Sequence, residues 1–167
     1  MDSDLKKKIL RMIPYGIYVL TARASGGDIT AATVNWVTQV SFDPPLVALG
    51  VKPDSGAYVA LKESGGFALN FLGKGQQGLA FKFFKPAEVS GGEISGEAFH
   101  NGANGAPVLE SAAACVECAV VEIVEKGDHH TVIAEVRAVH GGAQIDGRSD
   151  AFGLHMNELG ENVFYGG

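Results

Sequence analysis

Two apolar segments in the C-terminal half constrain the fold more than any other feature of the sequence. Residues 115–125 and 131–139 are both rich in Val, Ile and Ala, and from Val132 to Ala138 apolar residues alternate with more polar ones. A period of two places each kind of side chain on its own face of a β-strand. Residues 125–129, Glu-Lys-Gly-Asp-His, supply a turn between the segments. The sequence therefore predicts a β-hairpin here.

Short elements fill the rest of the chain. Further strands are predicted at residues 16–23, 29–42, 46–51 and 67–72 and near 151–156 and 161–167, short helices at 4–12, 54–66 and 76–84, and a long loop at 87–107. Short and mostly consecutive strands favour an antiparallel barrel over a parallel sheet with crossover helices. We therefore expect a mainly β fold with two or three short helices, built as a single domain over residues 1–167.

Charge and hydropathy argue against two classes of partner. The net charge is −6 and no basic stripe offsets it, so no nucleic-acid partner is expected. No apolar run approaches the roughly 20 residues of a membrane span, so no membrane partner is expected. The predicted location is cytoplasmic.

Both cysteines, Cys115 and Cys118, lie in the first strand of the hairpin. Their spacing fits a redox pair or half of a metal site, but a zinc site needs further ligands. Residues three apart in a strand point to opposite faces, which favours two ordinary strand cysteines. The sequence leaves their role open.

Residues 33–41, Thr-Val-Asn-Trp-Val-Thr-Gln-Val-Ser, carry many polar groups for a strand. In a continuous strand one face would hold Thr33, Asn35, Val37, Gln39 and Ser41, and the other Val34, Trp36, Thr38 and Val40. Small hydroxyl and amide groups beside an indole suit a flat heteroaromatic ligand with polar edges. An ordinary half-buried strand is the alternative that this pattern leaves open.

An anion site is indicated after the strand at 46–51. Lys52 and Ser55 lie just before a predicted helix, whose N-terminal N–H groups can bind a phosphate. Lys74, Lys82 and Lys85 are further candidate cations, and each is equally compatible with a solvated surface lysine.

His129 and His130 lie at the hairpin turn. They could bind metal, transfer protons or be merely exposed, but neighbouring side chains on a strand diverge, so no metal site is predicted. Neither a nucleophile motif nor a glycine-rich nucleotide-binding motif after a strand is present.

Four segments, taken in order, resemble the flavin reductase-like family of FMN-binding split barrels. They are TVNWVTQVSFDPPLV at 33–47, ESGGFALNFL at 63–72, QGLAFKF at 77–83 and GDHHTVIAEV at 127–136. The resemblance covers roughly residues 14–140 and implies an antiparallel split β-barrel of Greek-key type. Trp36 replaces a residue that is small in most of the family, which is similar to the flavoredoxin-like branch, and His130 replaces the usual Thr.

The resemblance also implies a flavin site. FMN would lie along residues 33–38 with Trp36 against its rings, and His129 would lie near the rings or an incoming nicotinamide as the candidate catalytic residue. The implied cofactor contacts are Thr33, Val34, Asn35, Trp36, Val37, Thr38, Lys52, Ser55, Asn70, Lys85 and Phe164. Lys52, Ser55 and Lys85 would meet the phosphate, and Asn70 would face the same cavity. Family members are typically homodimers, so a homodimer is expected.

Three functions follow as hypotheses. The leading one is an FMN-dependent oxidoreductase that accepts hydride from NADH or NADPH, the chemistry being that of the cofactor. The second, motivated by Trp36 and Phe164, is a non-enzymatic FMN electron carrier reduced by a partner protein. The third is a binding module without a cofactor. The sequence does not separate FMN from FAD or NADH from NADPH. It also does not identify the final electron acceptor or show whether flavin leaves as a substrate.

Overall fold

The computed structural model describes residues 1–142 and 145–166 and contains two antiparallel sheets. The strands are β1 Tyr18–Arg23, β2 Ile29–Val34, β3 Val37–Ser41, β4 Leu46–Val51, β5 Gly66–Phe71, β6 Val89–Ser90, β7 Glu93–Ile94, β8 Glu97–Asn101, β9 Pro107–Leu109, β10 Ala114–Val124 and β11 His130–Gly141. Seven of them form the main sheet in the order β2-β1-β5-β10-β11-β4-β3, and β6 to β9 form a small second sheet.

The chain path between β2 and β3 shows that the main sheet closes into a barrel. These strands are its two edges, yet only Asn35 and Trp36 separate them. The connection spans at most about 11 Å, so the sheet must curl until its edges lie side by side. Within the described residues no ladder joins β2 to β3, so the barrel is split at this corner. The predicted antiparallel split barrel is confirmed, whereas the predicted continuous strand at 29–42 is wrong.

The predicted hairpin is confirmed as β10 and β11, which pair from Ala114–Gly141 to Val124–Thr131 with register shifts after Glu117 and Val120. Cys115 and Cys118 both lie in β10 as buried free thiols, and they pack into separate apolar clusters. Burial raises the pKa of each thiol to about 12. Because the thiolate is the reactive form, this geometry favours two structural cysteines.

The barrel interior is filled by aliphatic and aromatic side chains from every part of the main sheet, including Leu20, Leu49, Phe67, Leu69 and Val132. Helix α2, Gly56–Ser64, packs its buried residues against this cluster. Ser55 caps its N-terminus by accepting a hydrogen bond from Tyr58 N at 3.2 Å, and Gly65 ends it in the left-handed conformation. The N-terminus of α2 is thereby fixed beside the end of β4.

The other helices are short. Helix α1, Ser3–Leu10, has no buried residue, and α3, Gln77–Lys82, packs Leu79 and Ala80 into a second apolar cluster that also contains Phe83. Two 3-10 turns follow at Ser149–Ala151 and Met156–Glu158. No helix in the described ranges is long and apolar enough to cross a membrane.

Two further local predictions are wrong. The segment predicted as a loop at 87–107 contains β6, β7 and β8, whose short ladders turn at glycines with positive φ such as Gly91 and Gly92. The predicted closing strands are absent from the described part of 151–167, which holds only isolated bridges at Gly153 and His155, and Gly167 lies outside the described residues. Residues 161–166 instead lie across the corner between β2 and β3, where Asn35 contacts Tyr165.

Candidate functional site

A cavity of about 340 Å³ opens where the barrel is split. Its walls come from the ends of β2 and β4, the start of α2, the segment after α3, the hairpin turn and the C-terminal residues. The lining residues are Ile17, Ala32, Thr33, Val34, Asn35, Gly50, Val51, Lys52, Ser55, Ala57, Phe83, Phe84, His129, Met156, Val163, Phe164 and Tyr165. The volume lies at the small end of the roughly 300–1,000 Å³ of small-molecule sites.

Predicted residues from β2 and its corner differ in what they offer a ligand. The Thr33 hydroxyl donates to Ala80 O at 2.7 Å, so it holds α3 in place. Asn35 is 5% exposed and its Nδ2 donates to Tyr165 O at 3.1 Å. Val34 supplies apolar wall. Asn35 is therefore the residue of this group that places an amide in the cavity wall, and its hydrogen bond is to the C-terminal segment.

Lys52 and Ser55 form the part of the wall suited to an anion. Ser55 Oγ donates to Lys52 O at 2.7 Å while it caps α2. Lys52 Nζ lies 3.3 Å from Asp54 Oδ2, but both side chains are more than half exposed, and such pairs are weak. An arriving phosphate can compete for this ammonium group and can also meet the N–H groups of the first turn of α2.

Trp36 lies behind the cavity wall rather than on its surface. Its indole covers Gly50, where an added Cβ would approach Trp36 Cε3 to 2.9 Å. The ring centroid lies 4.5 Å from that of His129 and 5.6 Å from that of Tyr165. Nε1 is buried without a hydrogen-bond partner in the described part of the chain. Trp36 thus supports the groups that line the cavity and keeps an unused donor beside them.

His129 is held on both ring nitrogens. Nδ1 lies 3.1 Å from Asp128 Oδ1 and Nε2 lies 2.6 Å from the Tyr165 hydroxyl. The hydrogen bond from His129 lowers the pKa of Asp128, and burial raises the pKa of Tyr165. Each ring nitrogen of an imidazole can donate or accept a hydrogen bond, according to its tautomer. His129 is therefore oriented in the cavity wall by Asp128 on one ring nitrogen and by Tyr165 on the other.

Besides Trp36, four of the implied contacts do not line the cavity. Asn70 is fully buried elsewhere, donating to Val19 O and Thr21 Oγ1 and accepting from Leu109 N at 2.9 Å. Its position opposite Val19 in β5 directs it to the small sheet, so it has a structural role. Val37 and Thr38 lie beyond the corner on β3, with Val37 against the barrel core and Thr38 exposed. Lys85 is exposed outside the cavity.

Several lining residues are not among the residues that the sequence predicts for the site. Phe83 and Phe84 directly follow α3, and Met156, Val163 and Tyr165 come from the C-terminal region. The aromatic pair at 83–84 and the Phe-Tyr pair at 164–165 were the signals available, since aromatic side chains are common in the walls of small-molecule sites. Phe164, which was predicted, does line the cavity, with its ring under the Arg11 guanidinium at 4.4 Å.

Comparisons with known proteins place this geometry in a family. The model of the flavin reductase like domain matches residues 10–157. The styrene monooxygenase flavin reductase of Pseudomonas putida S12 superposes with a TM-score of 0.71 and 31% identity, over 84% of this chain and 88% of that one. The NADH:FAD oxidoreductase of Streptomyces globisporus gives 0.66 and 31%, over 77% and 76%.

A third solved structure carries a different description. The FMN-binding protein of Thermus thermophilus, with 1-cyclohex-2-enone bound, superposes with a TM-score of 0.67 and 26% identity, over 78% of this chain and 72% of that one. The family match spans nearly the whole described barrel and includes the corner, the α2 cap and the hairpin turn that build the cavity. The chain belongs to the family of the flavin reductase like domain and is a flavin-related oxidoreductase.

Proposed function

We propose that the protein binds FMN in the cavity at the split of the barrel and is reduced there by NADH or NADPH. The observation that carries the proposal is the grouping of apolar walls, an amide, a histidine and an anion-binding helix start in one cavity. The relatives described as a flavin reductase, an NADH:FAD oxidoreductase and an FMN-binding protein support a flavin ligand and a nicotinamide donor.

The residues present fit a flavin mononucleotide. Val34, Val51 and Phe83 supply apolar surface for flat rings, and Asn35 and His129 supply polar groups for the ring edge. Lys52, with the first turn of α2 that Ser55 caps, suits one terminal phosphate, which favours FMN over FAD in this cavity. When bound, FMN would supply the hydride-accepting and electron-transferring chemistry. The chain itself orients the ligand and excludes water.

One experiment tests this proposal directly. Purified protein is analysed by visible absorbance, the released flavin is identified by chromatography, and NADH or NADPH is then added without oxygen. We expect FMN to be bound, and the absorbance near the flavin maximum to bleach with one donor faster than with the other. Colourless protein that fails to bind added FMN would overturn the proposal.

A non-enzymatic electron carrier is the second candidate, and the environment of His129 favours it. Tyr165 and Trp36 both pack on the imidazole, whose side chain is only 12% exposed, so little of it is free to contact an incoming nicotinamide. A carrier would hold FMN tightly, remain oxidised with NADH and NADPH, and be reduced by dithionite or by a reduced partner protein. The same anaerobic titration separates the two functions.

We also propose a homodimer. Near the exposed edge strand β3, Val40 is 51% exposed and Phe42 is 90% exposed. Large apolar side chains at an unpaired sheet edge favour association. A cytoplasmic location stays a prediction from the sequence.

A further inference from the structure

The hairpin turn, residues 125–129, carries His129 into the wall of the cavity, but few main-chain contacts hold it there. Outside the strand ladders, the described residues provide one backbone hydrogen bond in this turn, from Lys126 N to Val124 O at 3.0 Å. Gly127 turns the chain at a φ of +75°. The path of the turn therefore depends on side-chain contacts.

Tyr58 of helix α2 contacts the chain on both sides of this turn. Its hydroxyl lies 2.7 Å from His130 Nδ1 and 3.3 Å from Glu125 Oε1, and its ring packs edge-on against the imidazole of His130 with 5.2 Å between centroids. Tyr58 is only 5% exposed, and Glu125 is also paired with Lys62 of the same helix. One buried hydroxyl thus joins the two ends of the turn to α2.

The same tyrosine belongs to the anion-binding end of the cavity wall. Its backbone N–H donates to Ser55 Oγ at 3.2 Å in the cap of α2. Ser55 and Lys52 line the cavity beside this helix start, whereas His129 lines it from the hairpin turn. Tyr58 therefore connects the two parts of the wall that would contact opposite ends of a ligand, and it fixes their separation.

The two adjacent histidines face different parts of the molecule. The imidazole of His129 lies 4.5 Å from the Trp36 ring between centroids, and its Nε2 lies 2.6 Å from the Tyr165 hydroxyl. The imidazole of His130 is directed at Tyr58 instead. A hydrogen bond that fixes His130 therefore fixes the backbone from which His129 projects into the cavity wall.

We propose that Tyr58 and His130 are positioning residues, whose hydrogen bond sets the hairpin turn so that His129 meets the ligand at a fixed distance from the start of α2. The proposal rests on the proposed function for the identity of the ligand only, because the contacts that carry it lie within the chain. Neither residue lines the cavity. Loss of either should therefore displace His129 without removing a group from the cavity wall.

Trp36, the only tryptophan of the sequence, can report the position of His129. A protonated imidazole in contact with an indole quenches its emission, and histidines titrate between about pH 5 and 8. The other ionisable groups around His129 are Asp128, Tyr165, Lys52 and Asp54. The hydrogen bond from His129 lowers the pKa of Asp128 and burial raises the pKa of Tyr165, so both titrate outside this range. His129→Gln should abolish the quenching step and so identify it.

The test is a pH titration of Trp36 emission in the full chain and its variants, without added ligand. Tyr58→Phe removes only the hydroxyl, His130→Val removes the ring nitrogen that meets it, and His130→Asn keeps a polar atom near the place of Nδ1. Tyr18→Phe is the matched hydroxyl deletion, on β1 between β2 and β5. Urea unfolding measures the stability of each variant separately.

We expect Tyr58→Phe and His130→Val each to lose about half or more of the acid quenching, and the double variant to lose no more, because either change breaks the same contact. His130→Asn and Tyr18→Phe should titrate as the wild type does.

Three results would overturn the proposal. The first is wild-type quenching in Tyr58→Phe and His130→Val, whatever their stability in urea. The second is an equal loss in Tyr18→Phe, and the third is an equal loss in His130→Asn, which would assign the effect to packing rather than to the hydrogen bond. If His130→Val does not fold, Tyr58→Phe decides alone, since it keeps the ring and its packing.

FMN binding is measured separately on the same variants. Tyr58→Phe and His130→Val should weaken FMN about threefold or more, because His129 moves relative to the anion-binding end of the cavity. Wild-type FMN affinity in a variant whose Trp36 titration has changed would show that the position of His129 does not serve the ligand, and would overturn the inference. If the wild type binds no FMN while the Trp36 titrations behave as expected, the proposed function fails and the positioning pair stands.

Discussion

Trp36 lies where it does because Gly50 has no side chain. The indole occupies the space above this glycine in β4, and Gly50 N donates to Trp36 O at 2.9 Å. The ring in turn supports His129 and Tyr165. The missing Cβ at Gly50 thus lets the indole pack against β4 at the corner between β2 and β3. The indole in turn determines the position of His129 in the cavity wall.

Replacing Gly50 with alanine should therefore disturb both stability and site. The added Cβ would lie 2.9 Å from Trp36 Cε3, and a bulky ring cannot give way as a flexible chain end can. We expect a loss of about 1–3 kcal/mol in the free energy of unfolding, measured in urea, with a changed Trp36 emission. Gly26→Ala, where nothing lies within 4 Å of the new Cβ, is the control. Equal stability of the two variants would contradict this account.

Substitutions of two asparagines should distinguish an amide with a structural role from one that lines the cavity. Asn70→Ala should lower the free energy of unfolding by about 3 kcal/mol, because the buried Leu109 N would lose its acceptor at 2.9 Å. Asn35→Ala should affect stability less and weaken FMN, because Asn35 lines the cavity. Urea unfolding and FMN titration of both variants check this. Weaker FMN binding by a folded Asn70→Ala protein would show instead that Asn70 belongs to the site.

Among the helices and strands, local sequence patterns predicted those whose structure depends mainly on neighbouring residues. The alternation and turn of residues 115–139 define β10 and β11, because a hairpin depends on nearby residues. The break at Asn35–Trp36 was missed, because residues 29–42 have strand composition and the corner is imposed by closure with distant strands. The same distinction between local and long-range contacts applies to the cavity. Lys52 and Ser55 could be predicted because they lie at the start of a helix that Ser55 caps. Tyr165 lies in the cavity wall because of a long-range contact with Asn35, which local patterns do not show.

The small sheet is joined to β10 by a buried carboxylate. Glu117 is 2% exposed and accepts from Asn104 N at 2.8 Å and from His140 Nε2 at 2.7 Å. An added Cβ on Gly102 would lie 2.6 Å from its carboxyl carbon, so the loop before β9 needs glycine there. Burial opposes ionisation, but the hydrogen bonds from Asn104 and His140 prevail and lower the pKa of Glu117 from its ordinary value of 4.5.

These hydrogen bonds of Glu117 should make the free energy of unfolding depend on pH in the acid range. A carboxyl group with a lowered folded pKa stabilises the fold above its unfolded pKa, and that contribution is lost as the pH falls through the folded value. We therefore expect Glu117→Gln to lower the free energy of unfolding by about 1–3 kcal/mol at pH 7 and to flatten its fall below pH 4.5. Urea unfolding at several pH values measures both effects. Glu122→Gln, exposed on the same strand, is the control, and an unchanged acid slope in Glu117→Gln would contradict the argument.

At the scale of the whole molecule, closure of the barrel explains both the site and the exposed edge. The sheet brings β2 beside β3 but leaves the two without a ladder in the described chain, so a cavity opens at the corner and β3 keeps an unpaired side. The residues on that strand from Thr38 to Val40 are exposed. Sequence alternation could not indicate this, since it does not show which strand becomes an edge.

The exposed edge is the surface on which the proposed homodimer would form. Phe42 is 90% exposed just beyond β3, an unfavourable position for a large apolar ring unless another surface covers it. We expect light scattering to give twice the chain mass of 17.4 kDa for the wild type and a shift towards 17.4 kDa for Phe42→Lys. Val59→Lys, at a 47% exposed position on α2, is the control and should keep the larger mass. If Phe42→Lys stays dimeric while Val59→Lys dissociates, the interface lies on the helix side and the open edge of β3 has another role.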